Sequence, residues 1–297
     1  MKRVLPTSAG GLQNGVPNGL VPSSVMHGVL WTVLAMSCIA LVDGLAKYLA
    51  VELNGVQVAW GYFTSMLICL LGLRLVQGRP LRTLGYSSRP RLQLLRAACL
   101  VGSLSCLFYS LRFLPLAEAT CISFTSPLFI VALAGPVLGE RVGLDRWLAV
   151  LVGLCGALLI VRPGTEIFQW AALLPLLGAV FFAFFNLVTK RIGASDPLET
   201  TLFYTFGGGA LLLCLPLPFI WRTPAGQAWL LMLASGALGM LAHRSLVRGL
   251  SLANASVLAP INYVRLVWAT AIGWLVFGQV PDSAALTGGA VVIASGL

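Results

Sequence analysis

"ASVLAPINYVRLVWATAIGWLVFG", residues 255–278, is the stretch that decides the fold. Apart from Arg265 it carries no charge, and it is long enough to cross a bilayer's hydrocarbon, which takes about 20 mostly apolar residues. An arginine at the centre of such a segment costs about 2.5–3.5 kcal/mol on insertion scales. Its guanidinium stays charged at physiological pH. Roughly 20 Å of helix rise separates it from either end, too far for easy snorkelling. Something inside the protein has to receive it, either a wet cavity or a buried acid.

The rest of the chain is of the same kind. Of 297 residues, 58% are hydrophobic and 9% charged. A soluble domain carries about 25% charged residues, so this chain has too few to wet a globular surface. The expected fold class is an all-α integral membrane protein with ten transmembrane helices. They read near 27–49, 57–77, 92–113, 115–138, 146–162, 167–190, 198–221, 226–249, 252–277 and 282–297. Residues 1–25, rich in Gly, Pro, Asn and Ser, lack the apolar core of a secretory signal and read as a disordered cytoplasmic tail. The seven cysteines lie in apolar runs without a CxxC or Cys/His cluster. They read as small packing residues, and no metal or cofactor is expected.

The net charge of +10 reports topology rather than a nucleic-acid partner. Only Lys47, Arg112, Arg162 and Arg222 fall on the side opposite the tail, and Arg265 falls within a span. The remaining lysines and arginines gather on the tail side. Positive residues favour the cytoplasmic side, so both termini are expected inside.

The chain also repeats itself. "LPLAEATCISFTSPL" (114–128) is followed by "LGERV", and "LSLANASVLAPINYV" (250–264) by "FGQVP". A Gly-rich last span follows each, "VGLCGALLIV" and "LTGGAVVIAS". The units are expected at 26–164 and 165–297. Each has an odd number of spans, so the second is inverted relative to the first. Inverted repeats mark secondary transporters, with the site near the midplane between repeats.

These spans, with "SPLFIVALAGPVLGERV" and "ASVLAPINYVRLVWATAIGWLVFGQVPD", resemble the drug/metabolite transporter superfamily. The resemblance is to its EamA-type members, which include YddG-like amino-acid exporters and S-adenosylmethionine carriers. It implies a central cavity lined mainly by the first four helices of each half, and no ATPase.

Candidate site residues follow from polarity within spans. Arg265 is the candidate clamp for a carboxylate or phosphate, a structural ion pair being the alternative. Asn262 and Trp268 share its helical stripe, and Tyr263 flanks it. Asn186 is an intramembrane amide, placed either to bond another helix or to touch substrate. Tyr109 is one of several aromatics that could line a cavity. Asp43 and Lys47, four residues apart, are expected either to neutralise each other or to act in coupling or gating, with Lys47, Arg265 across the cavity and a proton as the three partners open to Asp43. His243, with Arg244 and Arg248, reads as an interfacial belt or a titrating group. Glu118 is expected in a short outer turn, and Glu140, Arg141, Asp145 and Arg146 in a mixed-charge loop.

No G-x-S-x-G, H-E-x-x-H, Walker or paired-carboxylate signal argues for an enzyme. The expected function is a multi-pass secondary transporter of the bacterial inner membrane. Its small polar substrate is led by amino acids, exported or exchanged by alternating access. The alternative is an uptake exchanger for S-adenosylmethionine or another nucleoside-like metabolite.

Overall fold

The computed structural model describes residues 23–139, 143–161, 170–193, 196–253 and 255–296. Most of the expected tail, Arg162, and the Glu140–Arg141 part of the mixed-charge loop lie outside them. All regular structure among the described residues is helical. In the first half α1 is Ser23–Leu49, α2 Gly55–Val76, α3 Pro90–Ser110, α4 Leu116–Ser123, α5 Ser126–Leu138 and α6 Leu144–Val161. In the second, α7 is Leu173–Ile192, α8 Leu198–Leu213, α9 Leu217–Ile220, α10 Gly226–Leu252, α11 Ala255–Leu258, α12 Val264–Phe277 and α13 Ser283–Gly296. Seven helical segments are long and apolar enough to cross a membrane. The shorter α6, α8 and α13 complete ten crossings.

Local chemistry sets the boundaries. Asn54 starts α2 by accepting the Val56 N–H at 2.9 Å, and Pro90 opens α3 where a missing N–H costs nothing. Both α5 and α12 stop on a left-handed glycine, Gly139 (φ 72°) and Gly278 (φ 65°), a conformation that side chains rarely tolerate. Helix α1 begins at Ser23, so the last three residues read as tail are helical.

Two spans expected as single helices are broken. The first pauses at Phe124 and Thr125, between α4 and α5, and restarts beside Pro127. The second passes through a 3₁₀ turn, Ala259–Tyr263, before α12. Pro260 lies in that turn and has no N–H for the α-helical bond. The seventh span is also shorter than expected. Pro216 and Pro218 stop α8 at Leu213, and only the single turn of α9 follows.

The packing carries a two-fold pattern. Exchange α1 with α7, α2 with α8, α3 with α10, α4/α5 with α11/α12, and α6 with α13. The α1–α10 contact then becomes α7–α3, α2–α10 becomes α8–α3, and α1–α12 becomes α7–α5; all are observed. The α2–α8 and α6–α13 pairs map onto themselves and are also observed. Phe124 and Tyr263, at equivalent breaks, touch each other with ring centroids 5.3 Å apart. With five crossings per half, the halves are inverted repeats. Helices α6 and α13 meet at facing glycines, where a methyl on Gly156 would lie 2.9 Å from the Gly288 carbonyl oxygen. A core of Phe63, Met66, Phe108, Phe206 and Met232 joins α2, α3, α8 and α10.

Candidate functional site

Arg265 stands in the first turn of α12, just past the 3₁₀ break, and α1 packs along both the turn and α12. That packing brings Arg265 Nε to 2.8 Å from Asp43 Oδ2, with the side chains 21% and 4% exposed. The acid therefore receives the charge that hydrocarbon would reject. The contact uses only Nε. Neither terminal nitrogen of the guanidinium has a hydrogen-bond partner among the described residues, and neither is sealed from solvent. Tyr62 on α2 is close enough to feel both charges, and its ring packs on Phe63 and Phe108. Its hydroxyl lies against α10, where a methyl on Gly239 would meet it at 2.6 Å.

Lys47 does not pair with Asp43, a correction to one of the two sequence expectations for that pair. Its ammonium donates to the carbonyls of Leu111 at 3.0 Å and Leu114 at 2.6 Å, and it lies 5.4 Å from the centroid of the Phe277 ring. The physical reason is supply. The end of α3 offers carbonyls with no helical partner, while Asp43 is taken by the stronger planar donor. Lys47 is buried and ties α1 to the α3 terminus. Glu118, expected in a turn, belongs to the first turn of α4.

The other sequence candidates scatter. Asn262 is half-buried in the 3₁₀ turn. Tyr263 donates its hydroxyl to the Ile293 carbonyl of α13 at 3.2 Å. Trp268 is 45% exposed while Ala269 is fully buried, so the stripe below Arg265 divides between outside and inside. Asn186 donates back to Phe182 on its own helix at 2.7 Å. Tyr109 ends α3 and packs on Phe113, which packs on Trp170. His243 packs edge-on against Phe206, with 5.8 Å between centroids.

Sequence reasoning missed Arg96, counting it with the interfacial positive charges. It is buried in the bundle, where Nε donates to Thr189 Oγ1 at 2.7 Å and Nη1 to Thr205 Oγ1 at 2.5 Å. Phe185 lies 4.5 Å below the guanidinium. All its acceptors are neutral. The available signal was the pair Thr201 and Thr205, four apart on a neighbouring span.

Polar contacts close both ends of the bundle. At the end where α2 finishes, Glu199 accepts from Arg74 and, at 3.0 Å, from Arg79. Beside it, Asp196 accepts from Ser87 Oγ (2.5 Å), Ser88 N (2.9 Å), Ser88 Oγ (2.8 Å) and Gln93 Nε2 (2.8 Å). These bonds, the one from Ser87 foremost, hold its carboxyl below the usual carboxylate range. At the opposite end, Gln57 donates to the Arg222 carbonyl at 2.6 Å and accepts the Arg222 N–H at 3.1 Å. Trp60, Trp221 and Trp229 cluster around that contact, with centroids 5.8 to 6.5 Å apart.

Comparison with known proteins agrees with this architecture. The model of the EamA-like transporter family matches twice, over residues 26–162 and again over 169–297. The chain belongs to the EamA-like transporter family. Each match covers one of the halves that the packing symmetry relates. This EamA protein is 30% identical over 284 residues to a riboflavin transporter of Vibrio cholerae, covering 91% of each chain. It is 29% identical over 268 residues to an S-adenosylmethionine uptake transporter of Rickettsia felis, covering 90% of each. It is 30% identical over 282 residues to the pseudopaline exporter CntI of Pseudomonas aeruginosa, covering 92% of this chain and 96% of that one. A solved crystal structure shares the fold at a TM-score of 0.62 and 20% identity, covering 92% of this chain and 96% of the other. The EamA chain is thus a multi-pass transporter of small metabolites in the bacterial inner membrane.

Proposed function

We propose that this EamA protein is a secondary transporter for a metabolite carrying an amino-acid head group, working by alternating access around the Asp43–Arg265 pair. The observation that carries the reading is the guanidinium with both terminal nitrogens free and accessible. A planar fork of donors fits a carboxylate in two-point contact. Asp43, Lys47, Arg96 and Arg265 together leave the interior net positive, which favours an anionic group. Free amino acids are the first reading, exported or exchanged. S-adenosylmethionine uptake is the second, favoured by the Rickettsia relative, and it presents the same α-amino carboxylate. The excess of positive residues at the end holding Arg74 and Arg79 supports a cytoplasmic position for both termini.

Asp43 gives the cycle a coupling step. A substrate carboxylate that takes over Arg265 strips Asp43 of its partner. A buried carboxyl in that state is favoured when neutral, so it takes up a proton. Release of substrate restores the pair and frees the proton.

Counterflow in proteoliposomes tests the reading, with labelled amino acids, S-adenosylmethionine and riboflavin in parallel. Amino-acid or S-adenosylmethionine flux is expected. Flux of riboflavin alone, which has no carboxylate, sinks the head-group assignment. Removing Arg265 by itself strands a buried acid, at a cost of about 3–5 kcal/mol. The informative variant is therefore Asp43→Asn with Arg265→Gln, a pair that stays neutral in the bundle. It should insert normally and lose flux at least about tenfold, the loss expected when a charged contact worth about 1.5–3 kcal/mol is removed. Wild-type flux by that variant would overturn the site.

A further inference from the structure

A second cavity lies apart from the Asp43–Arg265 pair, at the end where α10 finishes. Helices α8 and α10 both rest on α2 but meet each other mainly where the Phe206 and His243 rings touch. The cleft left between them measures about 650 Å³. Its floor is hydrocarbon, from Leu70 and Leu73 of α2, Leu202 of α8 and Met240 of α10. Its wall carries Arg244 and Arg248, one helical turn apart on the same face, and Trp31 of α1 stands beside them.

Three features say what the cleft takes. Arg79, also in its lining, already pairs with Glu199, which it shares with Arg74, whereas Arg244 and Arg248 have no carboxylate partner among the described residues. Between them Ser245 is fully buried, and its hydroxyl has no partner. The lining leucines Leu198 and Leu241 are about half exposed, so the cleft is bordered by apolar surface rather than by polar loop. Free positive charge and a spare hydroxyl sit above a hydrocarbon floor, beside a half-exposed tryptophan of the kind enriched at headgroup level.

We propose that this cleft binds an anionic phospholipid. Its phosphate lies between Arg244 and Arg248, and one acyl chain lies along Leu70, Leu73 and Leu202. A water-soluble metabolite would leave that floor unmatched. A zwitterionic lipid would leave the two guanidinium groups without net neutralisation. The cleft is independent of substrate chemistry at Asp43–Arg265, and its test uses no transport.

Trp31 is the reporter. The full chain is reconstituted with brominated phosphatidylglycerol or brominated phosphatidylcholine in otherwise identical vesicles. The Trp31 signal is the fluorescence that disappears in Trp31→Phe. Phosphatidylglycerol is expected to quench that component with up to about thirtyfold higher relative association, from two basic residues at a headgroup. Arg244→Gln with Arg248→Gln should bring the ratio close to one, and Arg244→Lys with Arg248→Lys should keep most of it. Equal quenching by the two lipids overturns the proposal, as does a preference that survives the double glutamine change. Loss of the preference on adding inorganic phosphate would mean that a soluble anion occupies the cleft, and overturns the lipid assignment too.

Discussion

The two ends of the bundle are closed by equivalent loops with different chemistry. At one end the α2–α3 connection meets the α7–α8 connection through carboxylates, arginines and serine hydroxyls, at Glu199 and Asp196. At the other, the α1–α2 connection meets the segment before α10 through one buried amide and three indoles, at Gln57, Trp60, Trp221 and Trp229. The pseudo-two-fold axis exchanges these loop pairs. The fold therefore dictates that a seal forms at each end, and the local residues decide how each responds to the medium. Ionic contacts near solvent are weakened by salt and acid. A desolvated amide and packed rings are not.

Breaking the neutral seal should cost more. Gln57 is fully buried and pairs with both backbone groups of Arg222. Gln57→Ala removes two hydrogen bonds, each contributing about 0.5–1.5 kcal/mol, and empties the space of a fully buried side chain. Thermal unfolding in detergent should show a loss of about 2–4 kcal/mol. Glu199→Gln at the ionic seal should cost less, about 1 kcal/mol. The pair with Arg79 is 58% exposed on the arginine side and contributes little. Arg74, though only 11% exposed, keeps the Pro80 carbonyl and the Thr83 hydroxyl as acceptors. Equal losses at the two ends would dissolve the contrast.

Salt sharpens it without any mutation. Consider a chain with its native cysteines replaced by serine and one cysteine introduced at Leu73, in the cleft beside the ionic seal. Raising ionic strength toward 1 M, where screening acts within about 3 Å, should speed thiol labelling there severalfold. Labelling of a cysteine at Val56, beside the amide seal, should not change with salt.

The difference between the seals also shows what a sequence can and cannot display. The ten crossings were legible because bilayer thickness imposes a length and an apolar composition on every one of them. The glycine stops at Gly139 and Gly278 were legible as a repeated motif. The Asp43–Arg265 contact was legible only as one of several pairings, because it spans 222 positions and depends on how α12 packs on α1. Lys47 was partly misjudged because helix spacing reveals an i,i+4 neighbour but hides the carbonyls of Leu111 and Leu114. Arg96 was missed for a related reason. Position along a span places it near the interface, and only the packing of α7 and α8 supplies the threonines that bury it. Periodicity fixes which residues share a face, and the neighbour across that face comes from packing.

The smallest expected effect is acid sensitivity at Asp196. Its four hydrogen bonds hold the carboxyl below the ordinary range, and the unfolded value lies near 3.9. A depressed folded value means that the ionised clamp contributes in full above about pH 4 and is lost as pH falls through the folded value. The loss therefore occupies the strongly acidic window and is absent at neutral pH. Because Asp196 is near the surface, the effect should appear in local opening rather than in global stability. Thiol labelling at the Leu73 cysteine should rise as pH drops below about 4, once rates are corrected for thiolate fraction against a free-thiol standard. Asp196→Asn should label at the raised rate at every pH, because a neutral amide cannot hold the four donors as a carboxylate does. A wild-type profile that Asp196→Asn leaves unaltered would show that the serines close this end without the charge. The charge of the ionic seal would then rest on Glu199 and its two arginines alone.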